Sequence, residues 1–392
     1  MNFGTLVVIV LAGLGGPLLS LSGRRFVPVV IGEILAGVIV GRTGLGVVDP
    51  ANATIYALAS VGFAMLMLTV GMHLPLRDRR LTASLRTGAV LAAIVGMLAA
   101  PAGLAAAAVA GTSHAAIYAV VLASGSAAVL LPAFQEARAS SPDVLVVMAQ
   151  VTIADVVTIV SVPIVLQPAR ALHALLGGAL VAVAVLLLLG LARLLRDRPW
   201  VHRVRELSKQ RNWALDLRLS LLVLFALAWI AQKSATSILI AGFGAGVMVA
   251  LIGGPKRLST QLRGVADGFF IPLFFVVLGA QLDLRGLLDH PSMLVLAGSL
   301  AALNVLIHLA AVLLVGRPVS AGLAACAQLG VPAAVASVGV SEGVLSNVVA
   351  TAIMASALVS LGVCTLGVQL LVTHPDEGTS VSALGPSAPA RP

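Results

Sequence analysis

Apolar residues run through this chain in long unbroken stretches. They neither alternate as in a half-buried strand nor form the narrow stripe of a surface helix. Many stretches approach or exceed the ~18–20 residues that cross a bilayer as a helix. The pattern predicts thirteen membrane helices, at roughly 3–22, 26–41, 53–72, 86–110, 114–135, 143–166, 171–195, 214–232, 235–252, 264–281, 292–315, 318–341 and 345–372. A Pro-, Ser- and Gly-rich tail over 373–392 is expected to be disordered and cytoplasmic. No basic segment precedes the first stretch, so it reads as a retained helix and not a cleaved leader. The predicted fold class is an all-α polytopic membrane protein; continuous runs exclude a β-barrel, whose strands alternate.

Composition agrees. Of 392 residues 59% are hydrophobic and 10% charged, against about 25% charged in soluble domains. The net charge of +9 does not mark a nucleic-acid binder, because the cations sit in short loops. Twenty of the 24 lysines and arginines fall on one side of the predicted membrane, and only Arg42, Arg170, Lys233 and Arg285 on the other. The positive-inside rule then places the N-terminus outside and the C-terminus in the cytoplasm of a multi-pass cell-membrane protein. Cys326 and Cys364 lie in apolar spans and suggest no metal centre. No cofactor is expected. Ser126 follows Gly125, but no glycine closes a nucleophile motif, and an enzyme is not expected.

An odd span count suits two inverted six-helix repeats joined by span seven, the arrangement of many secondary transporters. The fifth span of each repeat carries helix-interrupting residues: Ser124-Gly125-Ser126 with Pro132 in one, Gly330-Val331-Pro332 in the other. Paired broken helices are expected there, since irregular backbone at membrane depth is tolerated where it lines a cavity.

Asp155 sits within the apolar run Val144–Pro163 with no cation near it in sequence. A charged carboxylate at that depth costs on the order of 3 kcal/mol even on the gentlest scales. Binding and exchanging a proton or a small cation is the natural use of such a group. Thr152 and Thr158 lie at i−3 and i+3 from Asp155, on one helix face. Together with Ser124 and Ser126 they would supply hard oxygen ligands suited to an alkali cation.

Four segments resemble signatures of the monovalent cation:proton antiporters, in that family's order. They are Pro28-Val-Val-Ile-Gly-Glu33-Ile-Leu-Ala-Gly37-Val-Ile-Val-Gly41, Gly62 to Gly71, Ala241-Gly-Phe-Gly-Ala-Gly246, and Phe269 to Gly279 followed by Leu282-Asp283. The resemblance covers residues 1 to about 372. It implies a membrane antiporter domain over 1–372 that exchanges sodium or potassium for protons as a homodimer. It implies a mobile core (roughly 86–166 and 292–372), a scaffold that dimerises (roughly 1–72 and 214–281) and a linker helix (171–195), moving like an elevator. The transport carboxylate falls in the sixth of thirteen helices, here Asp155.

The sequence departs from the family pattern. Ala154 precedes the carboxylate where other members carry a second acid or an amide. Span eleven has no Lys or Arg; His308 and Asn304 stand about where some members have a lysine. Val331 follows Gly330 where many members have a glutamate. One carboxylate without a lysine partner predicts electroneutral exchange. No nucleotide-binding domain of the Kef type is expected after span thirteen. Supporting or gating roles fall to Glu33, Asp267, Phe274 and Phe275. A sodium-coupled organic-anion symporter on a similar fold, or a non-transporting membrane sensor, are the alternative readings.

Overall fold

A computed structural model of the chain describes residues 2–21, 29–72, 79–136, 141–196, 198–211, 213–234, 236–253 and 256–373. Pro28, the tail from His374, and Arg24, Arg25, Arg77, Arg138 and Arg391 lie outside them. The described residues are helical, with no strand. The chain begins with α1 (Phe3–Gly13), α2 (Gly15–Leu21), α3 (Val29–Val40) and α4 (Ala53–Met72), then α5 (Arg79–Ala110), α6 (Ala115–Ala123), α7 (Ala127–Glu136) and α8 (Pro142–Leu166). α9 (Ala171–Arg196) and α10 (Pro199–Gln210) lead to α11 (Leu215–Lys233), α12 (Ile238–Ile252), α13 (Lys256–Val265) and α14 (Ile271–Gln281). A π-helical turn at Ala266–Phe270 joins the last two. α15 (Leu284–Asp289), α16 (Pro291–Leu314), α17 (Val319–Ala325), α18 (Gly330–Ser341) and α19 (Asn347–Thr373) follow. Ten described helical stretches are long and apolar enough to cross a membrane, and α3 and α12 are shorter apolar helices. The chain is a multi-pass membrane protein.

Close backbone contacts organise the packing. α3 lies against α14 and α4 against α12. A Cβ on Gly37 would run into the Val276 carbonyl, and one on Gly279 into the Ile34 carbonyl. A Cβ on Gly246 would meet the Leu68 carbonyl, and one on Gly71 the Phe243 carbonyl. The glycines that punctuate the four family-like segments are therefore contact points between paired helices. This is how membrane helices gain dispersion energy when burial from water offers none. α1 and α2 complete this group on α3 and α14, and α11 packs on α12.

A second group forms around α8. α5 and α6 pack on it, α16 lies on α5, and α17, α18 and α19 close the other side. α9 touches members of both groups, α8 on one side and α11 and α12 on the other. α8 starts at a strong N-terminus: the Ser141 hydroxyl accepts the Val144 N–H, Pro142 occupies the first turn and Asp143 follows. Asp143 also accepts Arg317 Nη1 at 3.0 Å, tying the start of α8 to the turn before α17.

Three elements differ from the sequence expectation. The first span is broken at Leu14 into α1 and α2. The basic segment after α9 is itself a helix, α10. The second break falls at 326–329, ahead of Gly330-Val331-Pro332, which begin α18 instead of interrupting a helix. Proline is tolerated there because first-turn N–H groups have no intrahelical acceptor. Pro132 likewise falls inside α7 and not in the break before it.

Candidate functional site

The site lies where α8 passes the two breaks. Ser124, Gly125 and Ser126 form the unwound link between α6 and α7, with Ser124 in an extended conformation. A Cβ on Gly125 would press on Val151, so glycine lets this link lie directly on α8. Asp155, 3% exposed, faces the start of α7 and its Oδ2 accepts the Ala127 N–H at 2.9 Å. That donor is the first free N–H of a half-helix, whose partial positive charge favours an anion. A cavity of about 10 Å³ adjoins the carboxylate. Its walls are Leu66, Met67 and Val70 of α4, Ser126, Ile159, and Leu329, Gly330 and Val331 at the second break. It has room for about one water-sized particle.

About two turns along α8 from Asp155, toward Leu166, a second cavity of about 310 Å³ opens between α4, α14, α8 and α18. Phe63 and Phe274 line it, their rings stacked 5.1 Å apart. Polar side chains line it too, among them Gln167, Arg170, Gln281 and Glu342. Gln167 Nε2 donates to Glu342 Oε2 at 2.8 Å, joining the ends of α8 and α18.

The predicted ligands divide. Ser126 and Asp155 share the small cavity. Thr158 is buried, but its hydroxyl donates to the Ala154 carbonyl at 2.7 Å, the back-bond of a helical threonine. Ser124 donates to the Val121 carbonyl at 2.7 Å. Thr152 is buried, and its hydroxyl has no hydrogen-bond partner among the described residues. Because its hydroxyl is committed to its own helix, Thr158→Val is expected to leave cation-driven proton flux within about twofold of wild type; initial rates in liposomes check this.

Gly330 lines the small cavity and Pro332 is buried beside it. Phe275 is buried with its ring 5.2 Å from that of Phe274. Glu33 and Asp267 line neither cavity. Glu33 is buried in α3, where a Cβ on Gly16 would press on its Cγ, and it lies within electrostatic reach of the exposed Asp267 in the π-helical turn. His308 and Asn304 sit behind the breaks: His308 Nδ1 donates to the Asn304 carbonyl at 2.9 Å.

Gln328 is the residue that sequence reasoning missed. Buried in the second break, its Nε2 donates to the Val121 carbonyl at the end of α6 (2.7 Å) and to Asn304 Oδ1 (2.8 Å). Asn304 Nδ2 in turn donates to the Cys326 carbonyl just past α17 (3.0 Å) and to Ser360 Oγ (2.9 Å). Neutral amides thus reach carbonyls at the C-terminal ends of both half-helices, and the Val121 carbonyl also accepts the Ser124 N–H and hydroxyl. The signal in the sequence was a lone amide between apolar residues. Both cysteines are buried free thiols. No group of three or more His, Cys, Asp or Glu among the described residues could hold a metal ion.

Two helix groups, two unwound links and a buried carboxylate between them are the build of a secondary transporter. The chain belongs to the sodium/hydrogen exchanger family: that family's transmembrane profile matches residues 6–374. It is 25% identical over 317 residues to "Putative Na(+)/H(+) antiporter YjbQ" of Bacillus subtilis (strain 168), a match covering 75% of this chain. The chain spans about half the length of that relative, 50%. Its fold is that of the sodium proton antiporter MjNhaP1 from Methanocaldococcus jannaschii, with a TM-score of 0.65, 18% identity, and 95% of this chain and 97% of that one covered.

Proposed function

We propose that this protein is a secondary antiporter that exchanges sodium or potassium for protons, with Asp155 binding the two in turn. The observation that carries this reading is the buried Asp155 carboxylate, held by one backbone N–H and open to a cavity sized for one small particle. The family and the antiporters this chain resembles support the exchange of sodium for protons. Protonated, Asp155 is neutral; deprotonated, it is neutral only with a cation bound. A bare carboxylate resists relocation because burying its charge is costly. That rule alone couples the two fluxes.

Ser126, backbone carbonyls of the first break and Thr152 are the proposed oxygen ligands beside Asp155. The α5–α8 and α16–α19 group is the proposed mobile core, and α1–α4 with α11–α14 the scaffold, related as inverted repeats and paired in a homodimer. The stacked Phe63 and Phe274 on the scaffold would separate the large cavity from the carboxylate, closing one route of alternating access. With the orientation expected from the positive-inside rule, the large cavity would open to the outer face.

No basic side chain lines the small cavity, so one proton exchanges for one cation and no net charge moves. Liposomes loaded on a solid support are expected to show proton flux on addition of sodium or potassium without transient current. A current scaling with the cation gradient would overturn the one-for-one exchange.

A further inference from the structure

We infer that α10 and its flanks form a docking surface for anionic lipid headgroups. α10 joins α9 to α11, and both belong to membrane-length stretches, so it lies at a membrane boundary. The chain has three tryptophans. Two of them, Trp200 and Trp213, bracket this helix and are 56% and 43% exposed. Trp200, Val204 and Leu207 recur at i, i+4 and i+7 and share one face; Leu207 is exposed as well.

Cations surround that face. Arg205 Nε lies 3.7 Å from Asp216, and Lys209 Nζ 3.3 Å from Glu206. Arg211 lies over the Trp213 ring at 5.5 Å and keeps its charge. Arg198 and Arg203 are exposed and form no ion pair among the described residues. A segment serving orientation alone would need only the charge. Exposed tryptophans and leucine on a basic amphipathic helix match a surface that seats its rings at headgroup level and its guanidinium groups on phosphate. A polyanion held by charge alone would leave the tryptophans in water, and the place of α10 between two membrane-length stretches favours lipid as the occupant.

The test uses the full chain with Trp229→Phe, so that the remaining tryptophans flank α10, in mixed phosphatidylcholine and phosphatidylglycerol vesicles. Bromine is carried at equal label density by one lipid or by the other. Brominated phosphatidylglycerol is expected to quench the fluorescence more strongly than brominated phosphatidylcholine. Removing two cations, Arg198→Gln with Arg203→Gln, is expected to lower the local anionic enrichment by up to about 30-fold and to erase the difference. Equal quenching by both lipids in the parent protein, which needs no arginine variant to fold, would overturn the proposal. So would an unchanged difference in the double variant, or absence of quenching by either lipid. The readout is independent of antiport.

Discussion

Asp155→Asn is expected to abolish cation-driven proton movement, to the level of protein-free liposomes, while the protein stays folded. Asparagine has nearly the same shape, and its Oδ1 can still accept the Ala127 N–H that Asp155 holds at 2.9 Å. What it lacks is a proton to release and a negative charge to hold a cation. Stability should hold or rise, because a neutral amide is cheaper than a carboxylate at membrane depth. Proton flux on adding sodium or potassium, read beside the thermal unfolding of the purified variant, separates the two effects. Retained flux in a folded Asp155→Asn protein would remove the carboxylate from the exchange.

Gln328→Leu is expected to lower both stability and transport. The substitution strips a donor from the Val121 carbonyl and from Asn304 Oδ1, both buried at the crossing of the broken helices. Stranding a buried polar group costs about 1–3 kcal/mol; side-chain bonds between membrane helices average nearer 0.6 kcal/mol. The Val121 carbonyl keeps the Ser124 N–H and hydroxyl as donors, so the one stranded acceptor, Asn304 Oδ1, sets a loss of about 0.6–3 kcal/mol, read as a lower unfolding temperature. The end of α6 that Gln328 holds is three residues from Ser124, and the link that follows carries Ser126 and Ala127. Loosening it should raise the apparent cation KM more than it lowers the maximal rate. A purely structural role would instead reduce the amount of active protein and leave KM unchanged.

The all-helical, multi-pass class was legible in the apolar runs, because a bilayer permits little else. The burial of Asp155 was legible for the same reason, since it stands inside an apolar run. The first break was readable from Ser124-Gly125-Ser126, where glycine coincides with the unwound link. The second was displaced, because Gly330 and Pro332 begin a helix as readily as they end one, and the break itself, Cys326 to Leu329, has no breaker residue. Gln328 escaped because its partners, Val121 and Asn304, are remote in sequence. The spacing of Thr158 showed which helix face its hydroxyl occupies and not that its hydrogen goes to the Ala154 carbonyl. α10 hid in a segment whose charge count had already been explained by orientation.

The alternating use of one carboxylate by proton and cation is tested most directly by the pH dependence of the apparent cation KM. It is measured in liposomes with proton and cation gradients controlled on both faces. Competition at Asp155 predicts that KM rises as pH falls, approaching about tenfold per pH unit on the acid side by mass action, while the rate at saturating cation is unchanged. A KM constant across that range, with only the maximal rate changing, would mean that proton and cation occupy different groups.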